Sequence, residues 1–188
     1  MSDANLTPRR SVLYMPAANE RALEKAKAIP ADALIFDLED AVAPDAKVEA
    51  RERACAMFAG GGYGNREITI RANGIGTPWH DDDLAAIAAV GPDGIVVPKV
   101  NSVEDVRAIE SGLERHGAPD RTRIWAMLET PIAMLHARRS ARRPNDWPCS
   151  SWGPTTSPRS STPSGCRAVC RCSVGSSSAS WRRGRPTR

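Results

Sequence analysis

Asp37, Glu39 and Asp40 crowd the downstream end of an apolar run, in Phe36-Asp-Leu-Glu-Asp-Ala-Val42. Strand alternation places Asp37 and Glu39 on one face and Asp40 on the other. Acids this close repel one another unless a cation or hydrogen-bond donors stand among them. The cluster therefore reads as a cation-holding pocket, or as a helix N-cap with solvated acids beside it. Arg71 closes another apolar run, Ile70-Arg-Ala-Asn73. A guanidinium there is a planar fork for carboxylate or enolate oxygens, with a salt bridge to Asp37 or Glu39 as the competing use. Glu129 ends a third run, Met127-Leu-Glu-Thr-Pro131. A carboxylate so placed suits Mg²⁺, a hard cation that takes one or two protein carboxylates and leaves room for water and substrate; capping the next helix is the alternative. Lys99 has two readings, the Schiff-base nucleophile of a metal-free aldolase or an ammonium kept charged by nearby acids. His80, His116 and His136 share no spacing and read as surface residues.

These side chains need elements to position them. Short apolar runs predict strands over 11–15, 33–38, 67–71, 94–100 and 123–128, and helical spacing fills 20–28, 47–58, 82–90 and 103–116. Asn19 and Ser102 are the expected N-caps. Strand–helix alternation implies parallel strands with right-handed crossovers. In a closed barrel the downstream strand ends meet in one ring, which gathers the acids, Arg71, Asn73, Lys99 and Glu129. A doubly wound sheet would spread them along an edge and would more often carry a glycine-rich loop after its first strand. That loop here is Pro16-Ala-Ala-Asn19, without glycine. The expected fold is α/β, a (β/α)8 TIM barrel of which about the first five β/α units are present.

The formal charge of +4 over 188 residues and the pI near 9.0 do not describe the whole chain. Residues 1–143 carry 19 Lys and Arg against 21 Asp and Glu, and the remainder adds seven Arg and one Asp. A basic surface for nucleic acid is therefore not expected. No apolar run approaches the ~20 residues of a membrane span, and the first ten residues lack a signal-peptide core. No membrane partner and a cytoplasmic location are expected. Cys149, Cys166, Cys170 and Cys172 lack zinc-site spacing, and Cys55 reads as a small core residue.

Five segments occur in order and at family spacing: Arg10-Ser-Val-Leu-Tyr-Met-Pro16, Phe36-Asp-Leu-Glu-Asp-Ala-Val42 followed by Lys47 and Ala50-Arg51, Ile70-Arg-Ala-Asn73, Val97-Pro-Lys99 and Leu128-Glu-Thr-Pro131. Over about residues 9–138 the chain resembles the HpcH/HpaI aldolase/citrate lyase family, particularly its CitE-like CoA-ester lyases. The resemblance implies Mg²⁺-dependent cleavage or formation of a C–C bond beside a CoA thioester or keto acid. It implies Arg71, Glu39 and Asp40 as catalytic residues, Arg71, Glu129 and Asp37 as substrate-binding residues, and Glu129 as a metal ligand. Intact relatives are expected to form homo-trimers or hexamers. A non-catalytic binding subunit is the alternative from a different class.

The resemblance predicts a partial barrel domain over 1–138 and a non-homologous tail over 139–188. Residues 144–188 contain 11 Ser, seven Arg and six Pro but no Leu, Ile, Phe, Met, Lys or Glu, a composition that cannot supply buried strands. The family would place a sixth strand there, followed by Gly-Thr-Asn-Asp-Leu with a second metal aspartate. Codons for residues 146–161, displaced by one base with third bases chosen freely, can spell Leu-Ala-Val-Leu-Val-Met-Gly-Thr-Asn-Asp-Leu-Ala-Lys-Glu-Leu. A one-base loss near Arg138, in the gene or its sequencing, is the expectation, and with it a translated product that folds poorly and is inactive.

Overall fold

The computed structural model describes residues 9–135; His136, the four cysteines past 145 and the tail lie outside them. Five strands alternate with four helices: β1 Val12–Pro16, α1 Glu20–Ala26, β2 Ala33–Asp37, α2 Lys47–Gly60, β3 Glu67–Arg71, α3 His80–Val90, β4 Gly94–Val97, α4 Val103–Arg115 and β5 Arg123–Ala126. A single 3₁₀ turn at Pro44–Ala46 leads into α2, and residues 131–135 are again helical. Predicted strands β2, β4 and β5 overran by one to three residues, because the polar strand ends turn out of the ladder. Helix α3 begins two residues earlier than its apolar spacing showed.

All strands are parallel, in the order β1-β2-β3-β4-β5. That order decides between the two expected architectures. A doubly wound sheet reverses direction and puts its first strand inside, whereas here each unit adds to the same side of the last. The faces agree. One core joins Leu34, Phe36, Ile70, Ile95 and Val97 to residues of all four helices, including Leu23, Ala54, Ile87 and Ile109. The opposite face packs Ala33, Ile35, Val96, Trp125 and Met127 with Tyr14, and no helical residue joins it. Helices on one face and a sequentially wound sheet are the front of a TIM-type barrel. Strand parity then assigns Asp37 and Arg71 to the barrel-interior face, in register with each other on β2 and β3.

Local chemistry fixes the ends. Asn19 Oδ1 accepts from the Ala22 amide at 3.1 Å, and Ser102 with Asp105 forms a full capping box on α4. Gly91 ends α3 at φ 60°, a left-handed conformation that costs a side-chain-bearing residue about 1–2 kcal/mol. A Cβ there would also meet Pro119 Cγ at 2.5 Å. Gly91→Ala should lower the stability of the full chain by about 2 kcal/mol in urea unfolding; an unchanged midpoint would mean that the α3–β4 turn is not built as described.

Candidate active site

The downstream strand ends bring the predicted residues together. Arg71, 2 % exposed, is forked onto Asp37, 3 % exposed: Nε donates to Oδ1 at 2.7 Å and Nη2 to Oδ2 at 2.6 Å. Register sets this pair, since partners on adjacent parallel strands share a face. The guanidinium also lies over the Tyr14 ring, 5.1 Å from its centroid. Burial works to lower the Arg71 pKa, but hydrogen bonding to Asp37 and the charges of Asp37, Glu39 and Asp40 raise it overall. The salt bridge anticipated as a competing use of Arg71 is thus formed, and its fork is closed on protein. Asp37, expected to touch substrate, spends both oxygens on Arg71, and Oδ1 additionally accepts from the Glu39 amide at 2.8 Å.

Asp40 corrects the alternation argument. Strand β2 ends at Asp37, the chain folds back, and Asp40 Oδ2 comes within 3.3 Å of both terminal nitrogens of Arg71. All three acids of the cluster therefore surround one guanidinium. Lys47, not singled out from sequence as a site residue, explains the fold-back. It is buried and donates to the Leu38 and Glu39 carbonyls at 2.7 Å each. Desolvation lowers its pKa, opposed by the charges of Asp37, Glu39, Asp83 and Asp40.

Lys99 joins the far side of the ring. Its ammonium donates to Glu39 Oε1 at 2.8 Å, and its backbone N–H donates to Glu129 Oε1 at 3.1 Å. The hydrogen bond and charge of Glu39 raise the Lys99 pKa. A Schiff-base lysine needs a free amine, so this environment disfavours that alternative.

A second buried chain backs the site. Arg51 Nε donates to Asp83 Oδ1 at 2.7 Å, and Asp83 Oδ2 accepts from the Asn73 amide at 2.8 Å and from Nδ2 at 2.7 Å. The His80 ring contacts the Asn73 carbonyl at 2.8 Å through Nδ1, so His80 is half-buried rather than a surface residue. Cys55 is likewise half-buried, with Sγ 3.7 Å from the Ala86 carbonyl, rather than fully in the core. Asp83 was illegible among Asp81, Asp82 and Asp83, because only helix phase separates the buried acid from its neighbours. Beside these groups opens a cleft of about 480 Å³, lined by Glu39, Asp40, Asn73, Trp79, Lys99 and Asn101 among others.

Three carboxylates (Asp37, Glu39, Asp40) contact two cations, Arg71 and Lys99, and Glu129 accepts from the Lys99 backbone N–H. With the buried Lys47 ammonium beside them, one formal negative charge remains. Glu39 Oε2 is buried and accepts no hydrogen bond, although Arg71 Nη1 stands 3.2 Å away. An unsatisfied buried carboxylate oxygen within an oxygen-only donor set suits a hard divalent cation. Among the described residues no group of three His, Cys, Asp or Glu side chains is arranged to hold a metal ion, so the fit to a cation rests on the buried Glu39 oxygen, with Glu129 across Lys99.

Residues 10–145 match the family described as HpcH/HpaI aldolase/citrate lyase. The chain belongs to this family. The match ends at residue 145. A (3S)-malyl-CoA thioesterase of Cereibacter sphaeroides is 47 % identical over 137 residues, 73 % of this chain and 46 % of the relative. Citrate lyase subunit beta of Escherichia coli is 34 % identical over 134 residues, 69 % and 44 % of the two chains. Among solved structures, a citrate lyase beta subunit from M. tuberculosis complexed with oxaloacetate and magnesium superposes with a TM-score of 0.54 at 29 % identity, covering 69 % of this chain and 52 % of that one. The chain thus spans about half the length of the relatives it matches. No helix among the described residues is long and apolar enough to cross a membrane.

The buried pair generates a stability test. Asp37→Ala removes the fork and leaves the buried Arg71 only its longer contacts with Glu39 and Asp40, which should cost about 3 kcal/mol, while Asp37→Leu combined with Arg71→Met should recover most of that loss. Urea unfolding of the full chain measures both; a single variant as stable as the parent would show that the fork is not formed in solution.

Proposed function

We propose that residues 9–135 carry the front of the active site of a Mg²⁺-dependent carbon–carbon lyase that acts on the CoA thioester of a 3-hydroxy acid such as malyl-, citramalyl- or citryl-CoA. The observation that carries this reading is the ring of four carboxylates around Arg71 and Lys99 at the ends of consecutively wound parallel strands. The names of the relatives support the substrate class.

Cleavage of malyl-CoA removes the hydroxyl proton, breaks the bond between C2 and C3, and yields glyoxylate and acetyl-CoA after a proton is returned to the new methyl carbon. Asp40, whose side chain is 65 % exposed, would take the hydroxyl proton. Glu39, its second catalytic carboxylate, holds Lys99 and faces the same cleft. Arg71 would bind the substrate oxygens through the terminal nitrogens that Glu39 and Asp40 occupy in the free site, with Asp37 positioning it. Glu129 would ligate Mg²⁺, and Glu39, whose Oε2 stands 3.2 Å from Arg71 Nη1, would hold Arg71 beside it. The cation, when bound, stabilises negative charge developing on oxygen during cleavage. Homo-trimers or hexamers are the assemblies we expect of intact relatives.

Thioester hydrolysis is the second reading, favoured by the 47 % identical relative described as a thioesterase. We further infer that residues 139–188 are the sixth-strand region read in a displaced frame, so that the translated chain does not turn over. A non-catalytic binding role would show instead as a defined complex without activity.

The products discriminate. The frame-restored gene product, given malyl-CoA and Mg²⁺, should release glyoxylate and acetyl-CoA, and a chelator should abolish release. Free CoA with malate would replace cleavage by hydrolysis. Turnover by the 188-residue chain as written, or a coding sequence whose displaced frame does not run open through a sixth-strand motif, would overturn the frame inference.

A further inference from the structure

Lys99 adopts φ 55° and is the non-glycine residue with positive φ among those described. A side chain in that conformation costs about 1–2 kcal/mol relative to an ordinary backbone. Its salt bridge returns little, because the lysine side chain is 62 % exposed, and exposed pairs are typically worth about 0–1 kcal/mol. Stability alone would favour glycine here. The conformation does achieve one thing: a single residue grips carboxylates from two strand ends, Glu39 after β2 through its ammonium and Glu129 after β5 through its N–H.

The two cations of the ring differ in mobility. Arg71 is 3 % exposed at the side chain and forked onto Asp37, so it cannot leave without stranding a buried acid. Lys99 stands on a flexible four-carbon stem at the edge of the cleft, and its ammonium reaches water by rotating single bonds.

We propose that Lys99 is a built-in counter-cation, which neutralises Glu39 beside Glu129 until a divalent ion arrives and is then displaced by it. The inference rests on the metal reading above. Lys99 then holds the carboxylates in an ordered, charge-compensated arrangement and competes with the incoming ion for them. Removing its charge should tighten cation binding, and keeping the charge in another shape should not.

Mn²⁺ alone is the probe, with free ion followed by electron paramagnetic resonance in the presence of the frame-restored gene product and its variants. Lys99→Gly adopts φ 55° freely and keeps the N–H to Glu129, and Lys99→Met keeps the side-chain bulk. Each should bind Mn²⁺ about fivefold or more tightly than the parent, the scale set by removing one charge a few ångströms from a divalent ion in a water-accessible site. Lys99→Arg should bind as the parent does. Parent binding with unchanged or weaker binding by both neutral variants, or equal tightening by Lys99→Arg, overturns the counter-cation role and leaves the metal reading standing. No Mn²⁺ binding by any of the four proteins overturns both.

Discussion

Arg71 and Asp37 face each other across neighbouring parallel strands, both almost wholly buried, and the rest of the site is arranged around that pair. A charged pair inside a protein is tolerable only when its hydrogen bonds are made. Here the fork is complete, and Asp37 also takes the Glu39 amide. That last bond turns the chain out of β2, and Lys47 fixes the turn through two carbonyls. Glu39 and Asp40 are delivered to the barrel mouth as a consequence. The winding order matters for the same reason, since sequential parallel strands set their downstream ends side by side.

What the pair leaves is an excess of negative charge. Asp40 and Glu39 lean on the outer edge of a guanidinium already committed to Asp37, and Glu39 keeps one buried oxygen without a hydrogen bond. Such a site stores electrostatic tension that a cation or a polarised substrate can relieve. A rigid cation, Arg71, and a mobile one, Lys99, divide the work of holding it together meanwhile. Behind them the chain from Arg51 through Asp83 to Asn73 stiffens the loop after β3, so the wall of the cleft does not depend on ligand to take its shape.

Much of this was legible in the sequence. The strand–helix rhythm, both side-chain caps and the strand-end position of Asp37, Arg71, Lys99 and Glu129 followed from period, spacing and residue type. Barrel against doubly wound sheet rested on a missing glycine loop, and strand order supplied the firmer reason. Three features escaped. Asp40 lies beyond the last residue of β2, where alternation no longer assigns a face. The burial of Lys47 depends on two carbonyls that a linear reading cannot aim. The selection of Asp83 from three successive acids depends on helix phase against α2. Each is a consequence of tertiary direction rather than residue type.

The claim on which everything turns is that Arg71 is locked by Asp37 at the mouth of the front half-barrel. The guanidinium Nε–H of Arg71 reports this directly in a ¹H–¹⁵N spectrum of arginine-labelled protein, assigned through Arg71→Lys. The pair predicts a resolved resonance that exchanges slowly with water and is lost or becomes fast in Asp37→Asn. An Arg71 Nε–H that exchanges as rapidly as those of exposed arginines would contradict it.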